Sequence, residues 1–492
     1  MKNAISPTQE EDFSGWYHEV VKAAQLAENG PARGTMTILP WGYGLWERIQ
    51  KELDARFKQT GVENAYFPLL IPLNLLEKEA SHVEGFAKEC AIVTHTRLEE
   101  RDGALVPVSP LDEPLVIRPT SETIIGEAMA RWVSSFRDLP LLLNQWCNIV
   151  RWEMRTRMFL RTTEILWQEG HTAHATREEA VARARQMLDL YVECMENVLA
   201  IPIIPGRKTT GEKFPGADET YSLEMLMPDG RGLQGGTSHF LGQNFSKAAN
   251  IRFESSEQKL EYAYTTSWGV TTRLVGALIM THSDNDGLVL PPRVAQYQVV
   301  ILPVIPKEEL REEVMAACEN LAKELRQAYV FGEPLRVHID TRDMRGGEKK
   351  WHWVKKGAPL RIEIGPRDLE SKSAFVTRRD VGKGESVEIA ALISTAPCLL
   401  ETMQSQLFAK AKTFVDGHIT DVRTKEELAS FFEAGKKGLV RAHMSDDPAL
   451  EERLKNDYAV TTRCIPFETE DQRGPCIFTG KEAPLVLIGQ AY

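Results

Sequence analysis

Arg151 and Glu153 open the run R-W-E-M-R-T-R-M-F-L-R at positions 151–161, and Arg155, Arg157, Arg161 and Glu164 follow within a short stretch. Two residues apart on a strand, Arg151 and Glu153 point to one face. A strand-loop-strand arrangement then gathers the other charges over one pocket. A guanidinium grips a carboxylate or a phosphate through two parallel hydrogen bonds. The grouping predicts a site for a small anionic or zwitterionic ligand with a nucleotide phosphate beside it. The same run also fits a salt-bridged surface hairpin, which is common and contributes little energy, so the remaining motifs decide.

Those motifs supply complementary groups. R-P-T-S-E-T at 118–123 is a polar step before an apolar helix, the pattern of an ordinary N-cap. It also offers the Thr120 hydroxyl and the Glu122 carboxylate, and a carboxylate is what a buried ammonium needs. T-T-E-I-L-W-Q-E-G-H at 162–171 continues the opening motif and carries Trp167 and Glu169. G-G-T-S-H-F-L-G-Q-N-F at 235–245 follows Gln234, and a glycine pair lets backbone approach a ligand closely; a glycine-rich turn with a core histidine is the plainer reading. S-W-G-V-T-T-R-L-V-G-A-L-I-M-T-H at 267–282 sets Arg273 on a helix, where arginine is more often solvated than catalytic. The Gly-, Pro- and Lys-rich stretch at 201–220 reads as a loop over something. Residues 345–361 interleave six basic side chains with Trp351, His352 and Trp353. Such a mixture suits unpaired bases, which are stacked and read on their edges, although a solvated amphipathic helix fits too.

The elements that position these residues are partly legible. Leu45, Ile49, Leu53 and Phe57 form one face of an amphipathic helix, with Gly61 at the C-cap. Residues 121–136 read as a helix with Ile124, Ile125, Ala128, Trp132 and Phe136 as its apolar stripe. Residues 141–152 read as a buried strand entering the opening motif. Thr176 and Glu179 form a capping box before a helix reaching Leu199. L-P-P-R-V at 290–294 marks a boundary. Beyond it a strand (298–305), a helix (308–328) and the strands V-H-I-D and R-I-E-I alternate, which predicts a small α/β domain with a mostly parallel sheet. A long helix (387–415) leads away from it, and Thr424 with Glu427 caps the first helix of a last small domain.

Composition bounds the function. The chain has 492 residues, 42% of them hydrophobic and 26% charged, as in a globular protein of several domains. No stretch approaches the ~20 apolar residues that cross a bilayer, and no secretory leader is visible. The seven cysteines lack any C-x-x-C pair, so a disulfide framework is not indicated and a reducing, cytoplasmic location is expected. The net charge of -11 argues against a non-specific nucleic-acid coat but leaves room for a local basic patch that docks one RNA.

Together these motifs resemble the prolyl-tRNA synthetases, a class II aminoacyl-tRNA synthetase family, over nearly the whole chain and in the family's order. G-V-E-N-A-Y-F-P at 61–68 is similar to motif 1, the segment at 151–161 to motif 2 and the segment at 267–282 to motif 3. The form shared by eukaryotes, archaea and some bacteria matches best. The resemblance implies an α+β protein. Residues 1–290 would form a class II catalytic domain with an antiparallel sheet, 291–396 an α/β anticodon-binding domain, and 397–492 a small α+β C-terminal domain. It implies a homodimer through motif 1, with ATP, Mg2+, L-proline and tRNA(Pro) as cofactors and partners and no membrane.

Residue by residue, the resemblance assigns proline binding to Thr120, Glu122, Arg151, Trp167, Glu169, Phe214, His239 and Ser267. ATP falls to Arg151, Glu153, Arg161, Thr162, Gln234, Thr237 and Arg273, with Arg151 and Arg273 catalytic. Asp340, Arg342, Glu348, Lys349, Glu363 and Arg367 become candidates for anticodon contact. The class usually has a phenylalanine four residues after the Arg161 position to stack on adenine; this chain has Ile165, so adenine is expected to pack on an aliphatic surface. Fewer than a hundred residues separate His171 from Ser267, too few for the editing domain that many bacterial members carry there, so some alanine charging without its clearance is expected. Relatives often hold zinc on four C-terminal cysteines. Here Cys464, Cys476 and His443 are too few ligands, and no structural zinc or other metal site is expected. The resemblance also carries the Tyr492 carboxylate toward the catalytic domain. Alternatives are a synthetase for another small amino acid such as threonine or serine, a silent tRNA-binding or regulatory paralogue, and an amino-acid activator that loads a carrier protein.

Overall fold

The computed structural model describes residues 4–77 and 89–492. The first helices are α1 (Phe13–Ala23) and α2 (Pro40–Gln59), and the apolar face read from sequence on α2 is fully internal. Gly61 follows α2 at φ +82°, a left-handed turn that costs a residue without Cβ little. The chain then enters strand β1 (Glu63–Asn64). A three-stranded sheet of Leu70–Pro72, Ile92–Arg101 and Ala104–Ile117 leads to α3 (Glu122–Trp132).

The scaffold of the cavity follows: β2 (Leu141–Val150), β3 (Glu164–His174), α4 (Arg177–Asn197), β4 (Ile204–Arg207), β5 (Glu219–Leu226), β6 (Gly232–Gly242), β7 (Tyr264–Thr271) and α5 (Arg273–His282). In space the strands run β4-β5-β6-β7-β3-β2, antiparallel throughout, with β1 parallel to β2 at the edge. α4 covers one face. Phe57 of α2, Tyr191 of α4 and Trp268 of β7 pack against one another there, with Phe57 and Trp268 rings 5.0 Å apart. Gly170 makes this possible, because a Cβ at that position would lie 2.1 Å from the Trp268 ring.

Two readings shift. The helix predicted over 121–136 ends at Trp132, and Trp132 and Phe136 are exposed rather than internal, at 48% and 37%. The strand predicted to carry Arg151 ends at Val150, so Arg151 and Glu153 lie in the connecting loop. The Arg151 N–H still donates to the Thr163 carbonyl at 2.9 Å, which closes the base of that loop.

The next unit contains β8 (Val299–Pro303), α6 (Arg311–Leu325), β9 (Val337–Ile339), α7 (Gly346–Lys355), β10 (Leu360–Ile364), β11 (Ser373–Arg378) and β12 (Gly384–Glu388). β9, β8 and β10 are parallel, and β11 and β12 extend the sheet antiparallel. Arg379 ties this unit to the first by donating to both Asp284 carboxylate oxygens at 2.7 and 2.6 Å. α8 (Ile389–Gly417) then runs to β13 (Ile419–Asp421), α9 (Lys425–Glu433), β14 (Leu439–His443), α10 (Pro448–Tyr458), β15 (Thr461–Pro466) and β16 (Glu482–Gly489). The last strands do not form a separate sheet. β15 pairs with β4 through Ile465–Arg207 and Pro466–Gly206, so one sheet of twelve strands among the described residues runs from β13 to β1. Among those residues no helix is long and apolar enough to cross a membrane.

Candidate active site

Strands β2, β3, β6 and β7 and the loops beside them enclose a cavity of about 340 Å³. Alternation along strands decides which side chains enter it. On β3, Trp167, Glu169 and His171 share one face, and on β6 so do Thr237 and His239. Ser267 of β7 lies opposite both His171 and His239. Its hydroxyl is buried and makes no hydrogen bond among the described residues, an orphan that a ligand could satisfy.

At one end the cavity is acidic. Thr120 donates to Glu122. Glu169 accepts from Gln145 Nε2 at 2.8 Å, from the Ser121 hydroxyl and from His171 at 2.9 Å. Burial opposes ionisation of Glu169, but the hydrogen bonds from His171, Ser121 and Gln145 outweigh it and hold the carboxyl below its ordinary value. His171 is correspondingly raised against its burial. His239 behaves oppositely: burial, reinforced by the His171 charge, lowers it to about 3, so it stays neutral and meets the Thr220 hydroxyl at 3.0 Å. Phe214, in the 208–217 loop, covers it with ring centroids 4.5 Å apart. Two carboxylates, a neutral imidazole and flat rings from Phe214 and Trp167 make a compartment for a small cation with an apolar body.

The other end is basic. Arg151 donates Nε to the Pro119 carbonyl at 2.8 Å and lies over the Trp167 ring at 5.7 Å. Burial lowers its pKa, and Glu122, Glu169 and Glu153 counter that. Arg273, the first residue of α5, is held by the carbonyls of Leu160 and Gln234, both at 3.2 Å. Burial and the charges of Arg151 and Arg161 lower it to about 10, so it remains a cation that an anion would stabilise. Thr162 and Gln234 complete this wall.

Twelve of the fourteen residues assigned from sequence to proline and ATP therefore line one cavity. Glu153 and Arg161 do not; they bond to each other at 2.6 Å beside it, with Arg161 half exposed. Sequence reading missed Phe159 and Leu160, an apolar pair inside the charged loop, and Ile149, which opposes Ile165 across β2 and β3; all line the cavity. The M-F-L step at 158–160 was the available signal.

The six anticodon candidates separate into two kinds. Asp340 is internal: it accepts from Arg342 and from Trp353 Nε1 at 2.9 Å, and its carbonyl accepts from Lys349 Nζ at 3.0 Å. Lys349 is buried with it. Arg342, Glu348 and Arg367 are exposed, and Glu363 lies 3.8 Å from Lys350. In the C-terminal unit Cys464 and Cys476 pack in different apolar clusters, and His443 Nδ1 meets the Ala483 carbonyl at 3.1 Å. Among the described residues no group of three or more His, Cys, Asp or Glu side chains is arranged to hold a metal ion. Tyr492 reaches the first unit: its hydroxyl donates to Asp229 at 2.7 Å, its N–H donates to the Gly232 carbonyl at 3.2 Å, and Arg157 lies over the ring at 5.6 Å.

Family models match along the chain in the same order: tRNA synthetase class II core domain (G, H, P, S and T) at 106–282, anticodon binding domain at 298–399, and prolyl-tRNA synthetase, C-terminal, at 426–492. The chain is 57% identical to a proline--tRNA ligase of Protochlamydia amoebophila, covering 99% of this chain and 98% of that one. The chain belongs to the prolyl-tRNA synthetase family. Proline--tRNA ligase 2 of Anaeromyxobacter dehalogenans is 55% identical over 98% of this chain and 97% of its own, and a proline--tRNA ligase of Akkermansia muciniphila 54% over the same shares. These relatives are bacterial, so they do not tie the chain to the eukaryotic or archaeal members.

Proposed function

We propose that the cavity activates L-proline with ATP and that the chain transfers the prolyl group to tRNA(Pro). Family membership over the full length carries the activity. The observation that carries the residue roles is the polarity of the cavity, two carboxylates at one end and two partly buried guanidinium groups at the other. Proline would set its ammonium against Thr120, Glu122 and Glu169, and its ring against Trp167, Phe214, His239 and Ser267. Arg151, at the basic end and over the Trp167 ring at 5.7 Å, can hold the proline carboxylate and the ATP α-phosphate together. A carboxylate oxygen attacks the α-phosphorus, that P–O bond forms as the bond to the β-phosphate oxygen breaks, and pyrophosphate leaves. Charge growing on phosphate oxygens meets Arg151 and Arg273, cations already fixed in place. Thr162, Gln234 and Thr237 would contact the nucleotide, with Glu153 and Arg161 toward the phosphate tail. A ribose hydroxyl of the tRNA end then attacks the prolyl carbonyl and AMP leaves.

Mg2+ would neutralise the phosphates of ATP, bound chiefly through phosphate oxygens and keeping its waters; Glu153 is the carboxylate beside Arg161. Exposed Arg342, Glu348 and Arg367 are the better placed of the anticodon candidates, with Asp340 and Lys349 shaping the surface from beneath. Exposed Tyr66 and Trp132 near the β1 edge support a homodimer. With tRNA as substrate, the work belongs to the cytoplasm. A grouping with the form shared by eukaryotes, archaea and some bacteria would rest on the unit after the anticodon-binding domain and the short span between motifs 2 and 3.

Proline-dependent ATP–pyrophosphate exchange across all twenty amino acids, followed by charging of tRNA(Pro), tests this. Strong exchange with proline and weaker exchange with alanine is expected, since each of the two ring carbons that alanine lacks changes binding by only ~1–3 kcal/mol. Exchange with a different amino acid alone would overturn the pocket assignment. Rapid hydrolysis of pre-formed Ala-tRNA would overturn the expectation that mischarging is left uncleared.

A further inference from the structure

The 208–217 loop joins β4 to β5 and brings Lys208, Lys213 and Phe214 to the cavity. Its far side is gripped by the C-terminal unit at three successive residues. The Thr209 hydroxyl meets the Thr462 hydroxyl at 2.8 Å, within a buried contact. The Thr210 N–H donates to Asp446 Oδ1 at 2.7 Å, and the Gly211 N–H donates to Glu451 Oε1 at 3.3 Å. Thr462 also donates to Glu451 Oε2 at 3.3 Å, so the grips are linked. Gly211 is seated against that carboxylate, because a Cβ there would lie 2.6 Å from Glu451 Oε2. Pairing of Ile465 in β15 with Arg207 in β4 fixes the start of the loop in the same frame.

Inside the cavity the loop makes its own bonds: the Phe214 N–H donates to the Thr220 hydroxyl at 3.0 Å, and that hydroxyl meets His239. Between its two anchored ends the loop has little freedom. A segment rich in Gly, Pro and Lys would otherwise sample many conformations, and a ligand would have to order it on binding.

We propose that the C-terminal unit acts as a clamp for the amino-acid pocket, with Asp446, Glu451 and Thr462 as positioning residues that hold residues 209–211 and thereby keep Phe214 over His239. The clamp touches neither substrate. It presets the lid of the apolar compartment, and so acts on amino-acid affinity rather than on the phosphoryl step. That the amino acid is proline rests on the function proposed above.

Asp446 is the cleanest test because its side chain is exposed and its removal leaves no cavity. In the full chain, Asp446→Ala is expected to raise the KM for proline in ATP–pyrophosphate exchange about tenfold, the worth of one hydrogen bond to a charged acceptor, with kcat and the KM for ATP within about twofold. Asp446→Asn keeps an oxygen acceptor and is expected to restore most of the loss. Thr462→Val, which removes the buried hydroxyl, is expected to shift the proline KM in the same direction. Hydrogen exchange at the Thr210 and Gly211 amides should accelerate in Asp446→Ala and return toward normal in Asp446→Asn. An unchanged proline KM in both Asp446→Ala and Thr462→Val overturns the proposal, as do unchanged amide exchange or a failure of Asn to rescue. If the unsubstituted protein shows no proline-dependent exchange, the function reading fails, and the amide measurements still decide the clamp.

Discussion

Glu169 and His171, two residues apart on one face of β3, share a buried hydrogen bond of 2.9 Å at the acidic end of the cavity. Burial by itself would neutralise both, yet each keeps the other charged. The His171 pKa is raised above 6.5, so its contribution to stability is complete below 6.5 and fades as pH rises through the raised value. The Glu169 pKa is depressed below 4.5, so its contribution is complete above 4.5 and fades on acidification. The pair is therefore at full strength between 4.5 and 6.5. His171→Gln should lower the Tm most in that window, and the gap should narrow on either side of it. A gap that does not vary with pH would mean that the pair is neutral.

Arg151 and Arg273 are expected to carry the phosphoryl step through fork geometry as well as charge. Lysine at either position keeps the charge but loses the paired donors. Arg151→Lys and Arg273→Lys should each lower kcat for ATP–pyrophosphate exchange by about a hundredfold. Circular dichroism should show the fold unchanged. Activity within a few-fold of the unsubstituted protein would remove the residue from the step.

Motif types and strand periodicity made most of this site legible. Residues on β3, β6 and β7 could be placed because alternate side chains on a strand share a face. The 151–163 loop was harder, because no period governs a loop; Phe159 turned inward through a positive φ of 62° while Glu153 and Arg161 turned to each other outside the cavity. Trp132 and Phe136 match a helical stripe in spacing but lie where the helix ends, so the pattern outran the element. The joining of β15 to β4 was invisible, since pairing between distant strands leaves no local trace in sequence. For the same reason the contacts of Asp446 and Glu451 with the 208–217 loop could be found only in space.

Two exposed aromatic rings lie close in sequence or space to Phe67, just beyond the edge strand β1: Tyr66 is 73% exposed, and Trp132, with its ring 5.9 Å from that of Phe67, 48%. In a dimer formed across that edge these rings would be buried. Sedimentation velocity is expected to give a dimer at micromolar concentration, and Tyr66→Glu with Trp132→Glu should shift it to monomer. Unaltered sedimentation of the double variant would place the interface elsewhere.

Ile165 faces the cavity opposite Ile149, where an aromatic ring would present a flat surface to a base. Phe159 already contributes one ring to that wall. Ile165→Phe should therefore lower the KM for ATP several-fold, in line with the ~0.5–1.5 kcal/mol that an aromatic contact adds. The KM for proline should change less, because Ile165 lies four and six residues along β3 from Glu169 and His171 at the acidic end. A raised KM for ATP would show that the aliphatic pair is shaped for the base as it stands.

Arg463 of β15 donates Nε and Nη2 to Glu224 Oε2 of β5 at 2.9 and 2.6 Å, and Lys208 approaches the other oxygen at 3.0 Å. All three are buried. Burial opposes the Glu224 charge, but Arg463 and Lys208 overcome it and hold the carboxyl down to about 2. A carboxyl depressed in this way stabilises the fold fully above 4.5 and loses that contribution as pH falls toward 2. Arg463→Met removes the stronger partner and leaves a buried carboxylate with a single lysine. Breaking such a pair costs about 3–5 kcal/mol, which urea unfolding at neutral pH should register as an earlier transition. The deficit should shrink on acidification, because the variant's Glu224 takes up a proton well before that of the unsubstituted protein. A deficit independent of pH would assign the loss to packing of the Arg463 stem instead.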